Sequence, residues 1–301
     1  MDIRQLRFFL AVAEHLNFTE AAKHLYVAQP AVSQQIADLE NQIGVKLFIR
    51  DKRSVQLTAA GKVLFEESRA LIEKTEEILE KTRKAAAGLV GTLKIGFLAS
   101  AVKNHLPHTV KLFRAKYPDV SLELKQYTMG PLHEALEHGT LDIGFTMSFD
   151  LQNETDLVWR TLYSDVVSIV LRDDHPLAAE PQVSFSDLAK EPFVLLSPEQ
   201  SPRYYDFINR LCLKRGFLPN IVNFANLMET VLILVENGIG VSIVPRHTTV
   251  YNVPNLRFQD VDGEDAQIEV VVAWKKVASN PAVPLFLREL GIADCQDEEN
   301  G

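Results

Sequence analysis

From Thr92 onward, short apolar runs alternate with segments of helical periodicity, and this alternation constrains the fold more than any other feature of the sequence. The order strand, helix, strand, helix, strand fits residues 93–147 and fits residues 193–245 a second time. Strands separated by such helices pair in parallel through βαβ units. The pattern therefore predicts an α/β fold of two similar lobes. The strand 267–276 and a last helix near Pro284 are expected to return to the first lobe.

The boundaries of this two-lobed body follow from the same pattern. We assign residues 91–295 to the body, with residues 91–162 and 266–295 in lobe I and residues 163–265 in lobe II. The remaining residues, 296–301, are acidic and polar. Such a chain end has no apolar surface to bury, so we expect a disordered tail.

A long helix is predicted ahead of the body, in residues 59–90. Thr58 is placed to cap it, and the helical pattern runs to about Ala87 before Gly88 and Gly91. A lone helix of this length has no surface of its own chain against which to bury an apolar seam. We therefore expect it to pair with a second copy of the chain. The seam alternates steps of four and three: Leu64, Ser68, Leu71, Thr75, Ile78, Thr82 and Ala85.

Residues 1–58 show the layout of a winged helix-turn-helix, with helical patterns followed by two short strands around a polar turn. A helix over residues 2–16 comes first. Asn17 and Glu20 are spaced as a capping box, with Thr19 as an alternative cap, ahead of a short helix Glu20–Leu25. A third helix begins at Gln29 and ends near Gly44. Its predicted apolar stripe consists of Ile36, Leu39 and Ile43.

The charge distribution separates this head from the rest of the chain. The protein carries a formal net charge of −9, yet its first 60 residues hold seven Lys and Arg against six Asp and Glu. Four of those basic residues fall between Lys46 and Arg53. The net charge argues against bulk affinity for nucleic acid, whereas a locally basic head on an acidic body is compatible with a specific contact.

The polar residues at the start of the third helix suit base reading. In a helix-turn-helix the second helix of the motif enters the major groove with its first turns facing base edges. Gln29, Ser33 and Gln34 share one face there, and glutamine can form a bidentate pair with adenine. Pro30 can contact a thymine methyl, and a wing arginine, Arg50 or Arg53, can enter a narrow minor groove. The three polar side chains alone would fit a solvated helix equally well. The preceding short helix and the basic wing favour DNA.

The N-terminal segment resembles the LysR-type transcriptional regulators over roughly a fifth of the chain. The matching elements are Phe18-Thr19-Ala21-Ala22, Gln29-Pro30-Ala31-Val32-Ser33, Leu39-Glu40, Gly44, Leu47-Phe48-Arg50 and Leu57-Thr58-Gly61. The resemblance implies contact with double-stranded promoter DNA through these motifs, Thr19 included. Position 34 varies in the family and is often basic, so Gln34 leaves the base preference open.

The resemblance also accounts for the order of the remaining parts. It implies a linker helix that pairs two copies, and an effector-binding domain similar to periplasmic solute-binding proteins. It implies a homotetramer in which a small-molecule effector closes the lobes and changes the spacing of the DNA-binding heads on bent promoter DNA. This second match is architectural and carries no ligand signature.

Effector groups are expected at the carboxyl ends of the strands, in the crevice between the lobes. Ser100 opens a predicted helix, where unpaired N–H groups favour an anion. We therefore expect a small anion or a carboxylate compound, held by neutral donors and by Arg203. For each hydroxyl alone, capping a helix is the simpler explanation. The candidate residues are Ser100, Ala101, Thr128, Met129, Thr146, Ser197, Ser201, Arg203 and Asn226.

Several other classes of protein fit the sequence less well. No apolar run has membrane-spanning length, and no secretory signal is apparent, so we expect a cytoplasmic protein. Two cysteines far apart, Cys212 and Cys295, suit a reducing compartment. His105 and His108 lack a carboxylate or cysteine partner for a metal, and no cofactor is expected.

Two rival functions remain to be weighed. The lobes alone would suit a solute receptor for a transporter, but the missing signal and the winged head argue against it. An enzyme would need a nucleophile, a base or a metal set, and neither a G-x-S-x-G motif nor a phosphate loop is present. We therefore expect a DNA-binding regulator and not an enzyme.

Overall fold

The computed structural model describes residues 1–51, 54–103, 105–151 and 155–292. The chain divides into two compact units, Met1–Lys84 and Ala85–Gly301. Lys52, Arg53 and Cys295 lie outside the described residues, as does the predicted tail. The first unit contains the head and most of a long helix, and the second contains the two-lobed body.

The first unit has the predicted order of helices and wing strands. Its first helix has a complete capping box, in which Asp2 and Gln5 each accept the other's backbone N–H. The second helix begins at Phe18, two residues earlier than predicted, because Asn17 caps it through the N–H groups of Thr19 and Glu20. The elements are α1 (Ile3–His15), α2 (Phe18–His24), α3 (Gln29–Ile43), β1 (Phe48–Arg50), β2 (Val55–Leu57) and α4 (Ala59–Ala86).

The core of the head packs the helices against the wing. Helix α3 contributes Val32, Ile36 and Leu39, each fully buried. The predicted stripe is wrong at Ile43, which is 39% exposed because α3 ends there and Gly44 turns the chain with φ +80°. Phe48 on β1 fills the other side of the core. Its ring centroid lies 5.4 Å from that of Phe9.

Helix α4 leaves the later part of its seam exposed within one chain, whereas Leu64 packs against the core of the head and Ser68 is buried. Thr58 caps it, since the Thr58 Oγ1 accepts the Gly61 N–H at 2.9 Å. Leu71 and Ile78 are 46% and 53% exposed. Exposed leucine and isoleucine at heptad spacing favour a second helix as their partner.

The seam yields a prediction about assembly. Leu71→Asp should give monomers that no longer bind operator DNA, because a carboxylate inside a helix pair is costly to desolvate. Sedimentation measures the assembly, and thermal unfolding of the body checks that the lobes remain folded. Val63→Asp is the matched control, since Val63 lies on the same helix off the seam and is 66% exposed. An unchanged sedimenting mass for Leu71→Asp would contradict the prediction.

The second unit contains the predicted alternation of strands and helices, with two strands that the periodicity did not predict. The strands are β3 (Gly91–Phe97), β4 (Val120–Gln126), β5 (Ile143–Met147), β6 (Leu157–Arg172), β7 (Pro192–Leu196), β8 (Asn220–Ala225), β9 (Ser242–Pro245), β10 (Leu256–Asp260) and β11 (Gln267–Lys275). The helices are α5 (Ala99–Val102), α6 (Leu106–Lys116), α7 (Met129–Glu137), α8 (Phe185–Leu188), α9 (Pro202–Lys214), α10 (Met228–Glu236) and α11 (Ala282–Glu289). Short 3-10 turns occur at Ser148–Asp150, Pro176–Ala179, Arg246–Tyr251 and Glu264–Ala266.

The strand β6 belongs to both lobes. Its first part, up to Val166, pairs antiparallel with β11, and its second part, from Val167, pairs with β9 and β10. The lobe boundary expected after residue 162 falls inside this strand, and the pairing changes four residues later. Neither β6 nor β10 was predicted, because their residues alternate weakly between apolar and polar.

The remaining topology follows the sequence closely. In lobe I, β3 pairs in parallel with β4 and β5, and β11 pairs antiparallel with β5, so the chain returns to lobe I as predicted. In lobe II, β7 and β8 are parallel. The single helix predicted over residues 101–117 is wrong. Two helices, α5 and α6, occupy this stretch, and Pro107 in the first turn of α6 has no N–H to continue the earlier helix.

Candidate functional site

The first turns of α3 present polar side chains to solvent. Gln29, Pro30 and Gln34 are exposed and Ser33 is half-buried. The Gln29 Nε2 donates to the Ser33 Oγ at 2.8 Å, so these two side chains form one unit on the helix surface. Gln34 instead donates to Asp38 at 2.8 Å. Gln29 and Ser33 are thus arranged to act together, while Gln34 is engaged along its own helix.

The N-terminus of α3 is open to an anion. Its cap residue, Ala28, has no side-chain oxygen to accept a helical N–H, and the first turn holds no acidic residue. Helix α2 differs, because Asn17 occupies its first N–H groups. Pro30 has no N–H, and the N–H groups of Ala31 and Val32 donate to the Ala28 carbonyl. The Gln29 N–H and the helix dipole are therefore what favour a phosphate at the start of this helix.

A buried carboxylate fixes the end of α3 to the wing. Glu40 is 3% exposed and accepts the backbone N–H groups of Leu47, at 2.9 Å, and Phe48, at 3.3 Å. The Lys46 Nζ lies 2.9 Å from its other oxygen. Burial by itself raises the pKa of Glu40, but the hydrogen bonds from Lys46 and the two N–H groups outweigh it and lower that pKa. Glu40 therefore fixes α3 against β1.

The wing and the start of α2 place the other candidate DNA contacts. The Arg50 guanidinium lies 4.6 Å from the centroid of the Phe18 ring and 3.8 Å from the Glu40 carboxylate. Those contacts hold Arg50 against the head, so its predicted reach into a minor groove competes with them. Arg53 lies outside the described residues. Thr19 is exposed in the first turn of α2. Tyr26, which the sequence patterns did not single out, is 96% exposed with φ +57° immediately before α3.

The hydrogen bonds around Glu40 predict that the stability of the head depends on pH. A carboxylate whose pKa is lowered by folding stabilises the head above its ordinary pKa, and this contribution is lost as the pH falls through the lowered value. Glu40→Gln should therefore cost about 1–3 kcal/mol at neutral pH, and the difference from wild type should shrink in acid. Hydrogen–deuterium exchange at Leu47 and Phe48 measures this opening. Asp38→Asn, an exposed site on the same helix, should leave the exchange unchanged. Equal protection of wild type and Glu40→Gln at neutral pH would refute the role of Glu40.

In the second unit, a cavity of about 70 Å³ lies in the cleft between the lobes. Both lobes contribute to its walls, with α5, β5 and the start of α7 from lobe I and α10 and the turn Arg246–Tyr251 from lobe II. The strand ends therefore meet at this cleft, as the sequence predicted. Of the predicted effector residues, those that line it are Ser100, Thr128, Met129, Ser201 and Asn226.

The other predicted effector residues do not line the cavity. Thr146 is fully buried in lobe I and donates to Asp150 at 3.3 Å. Ala101 is buried as well, and its carbonyl accepts the Tyr163 hydroxyl at 2.8 Å. The Ser197 Oγ accepts the backbone N–H of Glu199, so Ser197 stabilises the turn after β7 and does not cap a helix. Arg203 lies in the first turn of α9 and does not line the cavity.

Helix capping is the wrong explanation for two of the hydroxyls. Thr128 and Ser201 occupy the cap positions of α7 and α9, yet neither side chain accepts a helical N–H. The Thr128 Oγ1 donates instead across the cleft to the Gln200 Oε1, at 3.1 Å. The N–H of Gly130 donates to the Gln200 carbonyl at 3.0 Å, and a Cβ at Gly130 would lie 3.2 Å from that oxygen. Gln200 thus joins lobe II to the start of α7.

The expectation about Ser100 also changes. Helix α5 is a single turn of four residues, capped by Leu98, and Ser100 lies inside it. A single turn supplies little of the dipole that the anion argument required. Ser100 lines the cleft, but not at the start of a long helix.

Ionisable groups that the strand-end argument missed also line the cleft. Glu229, His247 and Tyr251 all come from lobe II. The His247 Nδ1 lies 2.6 Å from the Asp165 carboxylate, and the His247 backbone N–H donates to the same oxygen at 3.0 Å. Burial tends to raise the pKa of Asp165, but its hydrogen bonds with His247 lower it overall. Asp165 lies on β6, whose existence the sequence did not reveal, so the pair had no detectable signal.

We also searched the described residues for a metal site, a reactive thiol and a membrane-spanning helix. Within it, no group of three or more His, Cys, Asp or Glu side chains is arranged for a metal ion. Burial raises the pKa of the Cys212 thiol to about 12, which suits a small core residue. Among the described helices, none has both the length and the apolar character to cross a membrane.

A winged helix-turn-helix head and a two-lobed body with a cleft define a DNA-binding regulator that responds to a ligand. Comparison with known proteins agrees. Residues 3–62 match the bacterial regulatory helix-turn-helix protein, lysR family, and residues 86–292 match the LysR substrate binding domain. The chain belongs to the LysR family of transcriptional regulators.

Individual relatives match along almost their whole length. The chain is 36% identical to the HTH-type transcriptional regulator AlsR of Bacillus subtilis (strain 168), over 98% of this chain and 96% of AlsR. It is 35% identical to the Hca operon transcriptional activator HcaR of Escherichia coli (strain K12), over 95% and 96%. The crystal structure of full-length CbnR complexed with its target DNA matches with a TM-score of 0.74 and 26% identity. That match covers 97% of this chain and 99% of CbnR.

Proposed function

We propose that this regulator reads its operator with Gln29 and Ser33 and anchors on phosphate with the open N-terminus of α3. The observation that carries the proposal is the exposed, hydrogen-bonded pair Gln29–Ser33 at the first turns of a helix without a side-chain cap. Glutamine and serine discriminate between base edges, whereas free N–H groups hold phosphate in any sequence. The complex of CbnR with its target DNA supports this placement by similarity. Pro30, Gln34, Thr19, Arg50 and Arg53 act as flanking contacts.

If Gln29 and Ser33 read base edges, replacing either residue should reduce the specificity for the operator. Gln29→Ala and Ser33→Ala should each weaken binding to the operator by about 1–3 kcal/mol, and binding to random DNA much less. Gel shift or fluorescence anisotropy at fixed salt measures both. Gln42→Ala is the matched control, because Gln42 is exposed at the opposite end of the same helix. Equal losses on operator and on random DNA would show that Gln29 does not read bases.

The cleft of the body is proposed as the effector site. The supporting observation is a cavity walled by both lobes, beside contacts that join them through Gln200. A ligand that touches both walls favours the closed arrangement over the open one, and this preference is what a switch requires. In this proposal Ser100, Thr128, Met129, Ser201 and Asn226 belong to the site.

Each predicted domain has its own role in this proposal. Residues 1–58 bind promoter DNA, residues 59–90 pair two copies, and residues 91–295 bind the effector. We propose a homotetramer, built from linker-helix dimers, that acts in the cytoplasm where its DNA lies. The related regulators and the absence of a catalytic grouping among the described residues of the cleft favour a binding protein over an enzyme.

Filling the cavity tests the effector site. Ala99→Leu should abolish effector binding and leave operator binding intact, because Ala99 lines a cavity of about 70 Å³. Thermal shift against a metabolite library measures the first effect, and gel shift measures the second. Ala115→Leu, an exposed position on α6, is the matched control. Compounds that stabilise wild type and Ala99→Leu equally would place the effector site elsewhere.

A further inference from the structure

Several hydrogen-bond donors around the cleft are engaged within the protein. The Thr128 hydroxyl donates to Gln200, and the Tyr204 hydroxyl donates to the Ile243 carbonyl at 2.9 Å. The His247 Nδ1 faces the Asp165 carboxylate at 2.6 Å. A ligand that needs donors from these side chains would first have to displace an existing partner.

A further set of polar groups crosses the cleft from α5 to lobe II. The pKa of Tyr251 is raised, first by burial and then by its hydrogen bond to the Glu229 carboxylate. The hydroxyl and the backbone N–H of Ser100 also interact with the Tyr251 oxygen and oppose that rise. Tyr251 therefore lies close to Ser100 and to Glu229, and all three residues line the cavity. The Glu229 carboxylate is an acceptor group at the cavity wall.

The charges at the cavity wall are negative. Among the described residues that line it, none is lysine or arginine. Glu229 is there, and Asp165 lies directly behind His247. The remaining titratable groups of the lining are tyrosines. A carboxylate or phosphate ligand would leave water for a site with no lysine or arginine and a carboxylate close by, which is unfavourable.

The apolar part of the lining is unusually rich in methionine. The chain contains four methionines, and three of them, Met129, Met147 and Met228, line this one cavity. Methionine side chains are flexible and polarisable, so they adapt to an apolar ligand body of varied shape. The lining therefore combines an adaptable apolar wall with one carboxylate acceptor.

We propose that the effector is an uncharged or cationic small molecule that directs a hydrogen-bond donor, a hydroxyl or an ammonium group, to Glu229. Its apolar body packs against Met129, Met147 and Met228. This inference rests on the proposed role of the cleft as the effector site. It replaces the anion expected from the sequence, because Thr128 is engaged with Gln200, Glu229 lines the cavity, and the expected positive charge, Arg203, does not line it.

The three cleft methionines supply the readout. The full-length protein labeled with methyl-13C methionine gives one signal from each cleft residue, and Met1 serves as an internal reference outside the cleft. Single methionine-to-leucine variants assign the signals. The probes are n-butylammonium, 1-butanol and butanoate, which share a four-carbon skeleton and differ in the charge and donor capacity of the head group. Each probe is titrated to the same final concentration.

The proposal predicts the order of the probes. Butylammonium and 1-butanol should shift the three cleft signals, and butanoate should not shift them at the same concentration. Glu229→Gln should weaken the binding of butylammonium about tenfold, which is the effect of losing one charge-assisted hydrogen bond. The same substitution should weaken the binding of 1-butanol by a smaller factor. Glu236→Gln is the control, since Glu236 lies on the same helix α10 outside the cavity lining.

The outcomes separate the two proposals. Stronger binding of butanoate, or a Glu229→Gln protein that binds butylammonium as wild type does, would overturn the ligand class and leave the cleft as a site. If none of the three probes shifts a cleft methionine, both the ligand class and the proposed effector site are wrong. The order of the probes on wild type decides the ligand class even if Glu229→Gln fails to fold.

Discussion

The cleft of this protein depends on one strand that is hydrogen-bonded into both lobes. The first part of β6 pairs with β11 in lobe I, and the rest pairs with β9 and β10 in lobe II. The continuous strand connects the two lobes. Because its pairing partners change after Val166, each lobe places its own strands beside it. Asp165 lies just before that change and holds His247 at the cavity wall, so this connection also positions part of the site.

The lobes contact each other through aromatic rings, such as Phe149 and Phe207 with centroids 5.1 Å apart, and through polar groups. The Thr128 and Gly130 contacts with Gln200 join α7 to lobe II, and the Lys103 Nζ donates to the Val250 carbonyl at 3.1 Å beside α5. Each of these hydrogen bonds contributes only modest net free energy, because water can replace it when it breaks. A ligand that adds even modest contacts to both walls can therefore shift the balance between open and closed lobes.

The structure of the head depends on a buried charge, the Glu40 carboxylate, whose oxygens accept hydrogen bonds from several donors. Glu40 is removed from water but receives two backbone N–H groups and an ammonium group. Such a group tolerates no loss of a partner, so it fixes one orientation of the reading helix against the wing. Rigid presentation of Gln29 and Ser33 follows from this, and specificity for base edges requires side chains held in a defined geometry.

Local patterns in the sequence were enough for most elements whose formation is decided by neighbouring residues, although they missed the break between α5 and α6 and the short helix α8. The caps at Asn17 and Thr58, the turn at Gly44 and the alternation of strands and helices depend on residues within a few positions of one another. The family match likewise depends on local motifs such as Leu39-Glu40. The sequence therefore determined the class of protein, the order of its parts and the edge of each sheet that faces the cleft.

Only the tertiary structure decided which polar groups remain available to a ligand. Whether Thr128 caps α7 or crosses to Gln200 depends on a residue 72 positions away. The Asp165–His247 pair spans 82 positions. Periodicity carries no information about such distant pairs, so the sequence placed hydroxyls at the cleft but could not show that they were engaged. The charge of the cavity wall differs from the expected one for the same reason, because Glu229 lines the cavity and Arg203 does not.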